Sequence, residues 1–361
     1  MATFDLIPTP TSISADWFNQ CFAEQGLAAR VASFTQVQIG TGQIGQCWRY
    51  EFEFSATDER VPASLVGKFS SADATSRATG VQLQNFLKEV RFYQELQSQL
   101  SIRTPRCFFA EIIDEGPDFF LLLEDLAPAE QGNQLLGCSA RVARSALSQL
   151  VGLHAPSWCD ESLRRHSWLL DESRTDRNAT LALYRAQLPA FMDYYSEHLA
   201  SDEIAIIERL GEADSTPLNA EFPDVFALIH VDYRLDNLLI FESEHRCEVA
   251  AVDWQSVTLG APLNDVAYFL GAGLIPGERK AVEKELVRSY YDALLAKGVS
   301  HFSWQDCWTA YRRGVYAGFA VTVIASCLVQ HTERGDQMFT TMARRHARHA
   351  LDLGAEEFLL P

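Results

Sequence analysis

The spacing of apolar residues changes character once along the chain. From 33 to 125 apolar positions alternate with polar ones or form short runs bounded by turn residues, and strands are predicted over 34–39, 47–54, 65–69, 107–113 and 119–124. One helix over about 77–100 interrupts that series. Ahead of it, residues 1–30 read as an appended amphipathic helix, with Ser14 as N-cap before Trp17, Phe18, Cys21 and Phe22. After 139 the period becomes helical, opening with Val142, Ala146, Leu150 and Leu153 behind a cap at Ser139. Within this second stretch only 225–229, 238–241 and 249–252 read as strand, and helices resume near Pro262. Pro128, Gly132 and Asn133 mark the join. The pattern predicts an α+β fold: an N-terminal helical extension (1–30), a small mixed antiparallel-sheet lobe with one helix (31–126), and a larger, mainly helical lobe (127–361).

Composition narrows the partners. Thirty Lys and Arg against 48 Asp and Glu give a net charge of -18, which repels a phosphate backbone, so nucleic acid is not an expected partner. The eight cysteines contain no Cys-x-x-Cys pair and read as reduced thiols rather than a zinc site or disulfide scaffold. No basic residue precedes Arg30 and no long apolar run opens the chain, so a signal peptide is not expected. The uncharged segment 314–330 is short for a bilayer and carries Gly314, Tyr316, Gly318, Thr322, Ser326 and Gln330; a buried core helix is the expectation, in a cytoplasmic protein without membrane contact.

Candidate chemistry begins at Gly40-Thr-Gly42-Gln-Ile-Gly45, a G-x-G-x-x-G motif that serves two different folds. A dinucleotide-binding fold needs a helix after the glycines. Here Trp48, Tyr50, Phe52 and Phe54 alternate with Arg49, Glu51 and Glu53, the period of a strand, so the glycines sit in a hairpin. Such a hairpin lays backbone N–H groups over a triphosphate in kinase-type folds. In the next strand Lys68, flanked by apolar residues, must leave the sheet surface or find an anion. Glu89 on the following helix is a candidate partner, with Glu95 as a competitor; solvated surface charge is the alternative for both Lys68 and Glu89.

The most specific segment is His230-Val-Asp232-Tyr-Arg234-Leu-Asp236-Asn237, H-x-D-x-x-x-x-N between two apolar strands, followed by Asp253 at the end of a third. If 238–241 and 249–252 form a hairpin centred near His245, facing positions sum to about 490, which brings Asn237 opposite Asp253. An amide oxygen and a carboxylate there make a hard-oxygen site suited to Mg2+ bridging phosphates. Asp232, at the loop tip, is placed to take a proton from an attacking hydroxyl. Arg234 either orients Asp232 or a phosphate, or is a surface arginine.

These residues, with Val252-Asp253-Trp254-Gln255 and the later Pro262-Leu-Asn-Asp265-Val-Ala-Tyr-Phe-Leu, resemble the aminoglycoside phosphotransferase and choline kinase superfamily, most nearly its ecdysteroid kinase-like branch and bacterial relatives, over about 35–355. The resemblance implies a bilobal protein-kinase-like fold and transfer of the gamma-phosphoryl group of ATP, with Mg2+, to a hydroxyl of a small molecule. It implies Asp232 as catalytic base, Asn237 and Asp253 as magnesium ligands, and Lys68, paired with Glu89, as phosphate clamp. Gly40, Gly42 and Gly45 would cover the nucleotide, Cys47 would lie beneath adenine, and Glu124, Asp125 and Leu126 would form the hinge. Trp254 and Gln255 stand where protein kinases have Phe-Gly, and Cys47 where they favour valine. Only eight residues, 254–261, separate Asp253 from Pro262, at most about 28 Å of extended chain, which leaves no platform for a peptide acceptor. The competing function is a catalytically silent ATP-binding module.

Other residues carry weaker signals. His346 and His349, among Arg344, Arg345 and Arg348, read as a solvated basic face rather than a metal pair. His154 reads as a satisfied core histidine, and Trp304, Trp308, Tyr311 and Tyr316 as helix packing. Asp265 suits either the first turn of a helix or a brace for the catalytic loop.

Overall fold

A computed structural model describes residues 7–40, 44–169 and 178–360; Gly42 lies outside the described residues. The chain divides into two compact units, the first comprising Met1–Ser98, Thr104–Ala127 and Asp253–Ser256, the second Gln99–Arg103, Pro128–Val252 and Val257–Pro361. The fold class is α+β, an antiparallel-sheet region followed by a helical region.

The first unit is built on five strands, β1 (Arg30–Ile39), β2 (Gly45–Ala56), β3 (Ser64–Ser70), β4 (Cys107–Ile112) and β5 (Phe119–Glu124), in the order β1-β2-β3-β5-β4. Every neighbouring pair is antiparallel. Helix α1 (Ala15–Glu24) is capped by the Ser14 side chain, which accepts from the Trp17 N–H. It buries Phe18, Cys21 and Phe22 in the sheet's own core, where Phe18 meets Phe34, Tyr50 and Phe52 edge to face at 4.9 to 5.2 Å. The helix expected over 77–100 is broken into α2 (Ala74–Gln82) and α3 (Asn85–Arg91), and a π-helical turn follows over Phe92–Leu96. The break falls at Gln84, whose φ is +56°. It lets the Phe86 ring fold back on Gly80, where a Cβ would stand 2.4 Å from it.

The second unit carries β6 (Glu130–Gln131), α4 (Ala140–His154), α5 (Ala179–Tyr195), α6 (Ser201–Glu212), β7 (Ala227–Ile229), β8 (Leu238–Glu242), β9 (Cys247–Ala251), β10 (Thr258–Gly260), α7 (Pro262–Gly273), α8 (Pro276–Ala296), α9 (Trp304–Ser326) and α10 (Glu333–Asp352). Ser139 caps α4 by accepting from the Val142 N–H. Helix α7 is buried along almost its whole length and packs on α9 and α10. Segment 314–330 forms the latter part of α9 and the turn after it, and among the described residues no helix is long and apolar enough to cross a membrane. All eight cysteines are free thiols.

Candidate active site

Strand β3 lies between β2 and β5, with Lys68 paired to Cys47 on one side and Leu121 on the other. A lysine there cannot reach bulk water without leaving apolar neighbours, and it finds two anions instead. Its Nζ stands 2.7 Å from the Glu89 carboxylate and 2.7 Å from Asp253 Oδ1. Glu89 comes from α3 and is 2% exposed; it also accepts from the backbone N–H of Trp254. Glu95 pairs with Arg91. Burial opposes the Lys68 charge, but Asp253 and Glu89 outweigh it and hold the ammonium well above its ordinary pKa. Burial pushes the Glu89 carboxyl up, Lys68 opposing and Asp253 reinforcing, because one ammonium serves two carboxylates and the trio carries a net negative charge.

Asp253 has φ +68°, a left-handed conformation that turns the chain sharply after the preceding strand. Trp254 anchors that turn, fully buried, with its ring stacked on Phe92 at 3.8 Å and its Nε1 donating to Thr104 Oγ1 at 2.9 Å. Gln255 Nε2 donates to Asp253 Oδ2 at 3.2 Å, and its carbonyl accepts from Asn85 Nδ2 at 3.1 Å. Thus Trp-Gln, in place of Phe-Gly, fixes Asp253 through packing and two amides.

Of the glycine motif, Gly40 adopts φ +75° after β1, and Gly45 opens β2. A Cβ on Gly45 would stand 3.1 Å from the Phe69 carbonyl oxygen and 3.3 Å from Lys68 Cε, so a side chain at the start of β2 would press on β3. Burial pushes the Cys47 thiol up to about 11, Lys68 opposing, which keeps it a neutral contact. Glu124 ends β5, where its Oε2 accepts from the Arg106 N–H at 3.0 Å, and the half-buried Leu126 follows. Asp125 pairs with Arg49 at 2.7 Å.

Asp232 and Asn237 lie in the second unit. Val231, between His230 and Asp232, has φ +73°, strained for a β-branched residue. Asp265, in the first turn of α7, holds this turn, its Oδ2 accepting from the His230 N–H at 2.7 Å and its Oδ1 from the Val231 N–H at 2.9 Å. The helix turn and the brace are therefore one role. His154 lies fully buried behind it, 3.4 Å from Asp265 and hydrogen-bonded to Tyr290 at 2.7 Å.

The Asp232 carboxylate accepts from Asn237 Nδ2 at 2.8 Å, Tyr268 Oη at 2.9 Å, and Arg234 Nε at 3.0 and 3.2 Å. Arg234 also reaches Asp236 at 2.9 Å, and Asp236 accepts from Arg334 and the Gln134 N–H. Burial resists the Asp236 charge, but those partners outweigh it and keep the carboxyl below its ordinary range. Strands β8 and β9 pair with sums of 489, so Asn237 lies opposite Val252, whose N–H donates to the Asn237 carbonyl at 3.0 Å. The register is one residue from the expected one, and Asp253 is the next residue.

The tail of α10 corrects an expectation. His346 and His349 are fully buried, not part of a solvated face. Met338, Met342, Ala343, Ala347 and Ala350 already trace a buried stripe, and Arg345 folds inward onto the carbonyls of Gln134, Leu135 and Ala272. Trp304 and Trp308 stack on the outer part of α9, and Tyr311 and Tyr316 are fully buried. Sequence pattern gave no sign of Gln134 or Arg334. For Tyr268 a signal existed, since it follows Asp265 by three and shares its helix face.

The amide oxygen of Asn237 and the carboxylate of Asp253 are each hard-oxygen donors of the kind Mg2+ takes. Among the described residues no group of three or more His, Cys, Asp or Glu side chains gathers as a protein-only metal cage. Mg2+ is ordinarily held by one or two protein oxygens, with phosphates and water completing its shell.

Comparisons with known proteins bear on the fold and the family. Three solved structures share the fold: a Ralstonia eutropha protein with a proposed assignment as an aminoglycoside phosphotransferase (14% identity, TM-score 0.52, 94% of this chain and 97% of that one), the choline kinase of Cryptosporidium parvum (12%, 0.52, 90% and 89%), and aminoglycoside 2'-phosphotransferase-IIIa in its GDP complex (12%, 0.52, 93% and 99%). No curated protein matches the sequence significantly. The sequence model of the ecdysteroid kinase-like family matches residues 40–299. The chain belongs to that family of kinase-like small-molecule phosphotransferases.

Proposed function

We propose that the protein is an ATP-dependent, Mg2+-requiring kinase that phosphorylates a hydroxyl of a small molecule. The observation that carries this reading is Lys68, a nearly buried ammonium fixed 2.7 Å from both Glu89 and Asp253 and close to Gly45 at the start of β2. Such a lysine is prepaid in desolvation and aimed, as a clamp on nucleotide phosphates requires. Gly40, Gly42 and Gly45 would cover the phosphates, while Cys47, Glu124 and Leu126 would meet the base. Asn237 and Asp253 would each offer an oxygen to Mg2+, which when bound would neutralise charge on the phosphate oxygens. The acceptor oxygen forms a bond to the γ-phosphorus as the bond from that phosphorus to the bridging oxygen breaks, and ADP departs with that oxygen. The hydroxyl proton passes to Asp232. The short 254–261 segment favours a small acceptor over a protein, with no activating phosphorylation of Ser256 or Thr258, and a cytoplasmic setting suits ATP and free thiols.

The test is calorimetric ATP binding with and without Mg2+, then turnover against a panel of cationic, neutral and acidic alcohols. Metal-dependent binding with a phosphorylated product is expected. Tight metal-dependent binding with no product across the panel would instead support a silent nucleotide-binding module.

A further inference from the structure

The loop that carries Asp232 is gripped by α7 at two levels. Asp265, in the first turn, holds the backbone N–H groups on the amino side of Asp232. Tyr268, one turn further along the same face, reaches the side chain, its hydroxyl donating to Asp232 Oδ1 at 2.9 Å. We propose that Tyr268 is a positioning residue for Asp232, fixing the plane of the carboxylate toward the acceptor hydroxyl. The proposal rests on Asp232 being the proton acceptor.

Three features separate this contact from incidental packing. Tyr268 is 1% exposed, so its hydroxyl has little competition from water. Its ring lies parallel to the fully buried imidazole of His346 on α10, with centroids 5.4 Å apart and planes within 9°. That imidazole is itself wedged: a Cβ at Gly318 would come within 2.2 Å of it, and one at Gly271 within 2.8 Å. His346 is thus packed close against the backbones of α9 and α7, and the Tyr268 ring lies against it. Burial first, and the Asp232 charge second, hold the Tyr268 hydroxyl well above its ordinary pKa, so it remains a proton donor.

The three donors divide the work by direction. Asn237 Nδ2 fastens Oδ2, Arg234 Nε straddles both oxygens, and Tyr268 fastens Oδ1 from α7. Asn237 and Arg234 lie within five residues of Asp232 in the chain, Arg234 also touching Met338 of α10. Tyr268 is the side-chain donor anchored on a buried helix, so it ties the carboxylate to the core. A displacement of about 1 Å in a reacting group can cost a hundredfold in rate, which is the scale on which such an anchor matters.

Tyr268→Phe keeps the ring and its stack on His346 and deletes the hydroxyl. The expected result is a kcat about tenfold lower, with the KM for ATP and the unfolding temperature unchanged. A crystal structure of the variant should show the Asp232 carboxylate in more than one orientation. Asp232→Asn measured alongside separates the two levels of the argument. If Asp232→Asn lost turnover while Tyr268→Phe kept it, the positioning role alone would be overturned. If Asp232→Asn kept full turnover, the base assignment would fall and the proposal with it. A lower kcat accompanied by weaker ATP binding and a lower unfolding temperature would mark Tyr268 as merely structural and overturn the proposal. If no acceptor in the panel turns over, the crystal structure decides, and a carboxylate in its single original orientation overturns it.

Discussion

Lys68 in the first unit and Asp232 in the second are each charged and largely covered, with 14% and 20% of their side chains exposed, yet unlike forces hold them. Lys68 is fixed by charge against charge: two carboxylates, one of them fully desolvated, around one ammonium. Asp232 has one charged partner, Arg234 at 3.0 Å, and is fixed by direction as well. It sits on a strained turn whose backbone is tied by Asp265, and its oxygens take hydrogen bonds from three side chains. A phosphate clamp needs a strong, weakly directional field. A proton acceptor needs an aimed lone pair. The two designs should therefore fail differently when a charge is removed.

The largest expected effect is on rate in the second unit. Asp232→Asn retains the shape and most of the hydrogen bonds, so its stability should stay within about 1 kcal/mol of the parent by denaturant unfolding. Turnover should drop by about 10^2 to 10^4, the usual worth of a positioned base, with ATP affinity retained. Full turnover in this variant would break the contrast, since direction would then count for nothing at Asp232.

In the first unit the same kind of change should cost stability. Lys68→Met leaves Glu89 buried beside Asp253 with no counter-charge, at a cost of about 3 to 5 kcal/mol. Adding Glu89→Leu should restore most of that loss, because the pair is then replaced by apolar contact. Nucleotide binding should stay lost in both. Denaturant midpoints for the single and double variants check this. A single variant as stable as the parent would mean that Glu89 is paired by something other than Lys68.

Legibility in the sequence follows the same division. Strand alternation located β2, β3 and β5, and the flanking apolar residues raised the question of an anion for Lys68, because a charge on a buried strand is a local contradiction. The helix over 77–100 misled because the break at Gln84 depends on Phe86 folding onto Gly80, a tertiary contact with no periodic trace. In the second unit the spacing from His230 to Asn237 is visible because the turn is local. The donors that reach it from elsewhere, Tyr268, Gln134 and Arg334, are separated from it by dozens of residues, and only the shared face with Asp265 hinted at one of them. His346 and His349 were misread for the converse reason: the arginines around them suggested solvent, while the methionine and alanine stripe that buries them was the stronger signal.

The smallest effect concerns acid, and it distinguishes the units because all nine histidines fall within the second. Burial is the largest cause holding the His346 pKa well below its ordinary value of 6.5, and the charges of Arg279 and Arg345 and the neighbouring His349 add to it. The groups packed around the ring are Tyr268 of α7, Phe319 of α9 and His349 on its own helix, and none offers a negative charge. Because the unfolded chain binds the proton more readily than the folded one, this contribution to stability is present above about pH 6.5 and is lost as pH falls below it. The slope is about 1.4 kcal/mol per pH unit for each such group. His349 shifts the same way, with burial dominant and Glu283 opposing. Carboxylates held below their ordinary range, such as Asp236, act in a lower window as their own folded-state values are reached. Between pH 7 and 5.5, hydrogen exchange should therefore quicken in α7, α9 and α10 while β2, β3 and β5 stay protected. His346→Leu should remove part of the slope in that interval. Equal acceleration in both units, or an unchanged slope in the variant, would show that the buried histidine does not set the acid response.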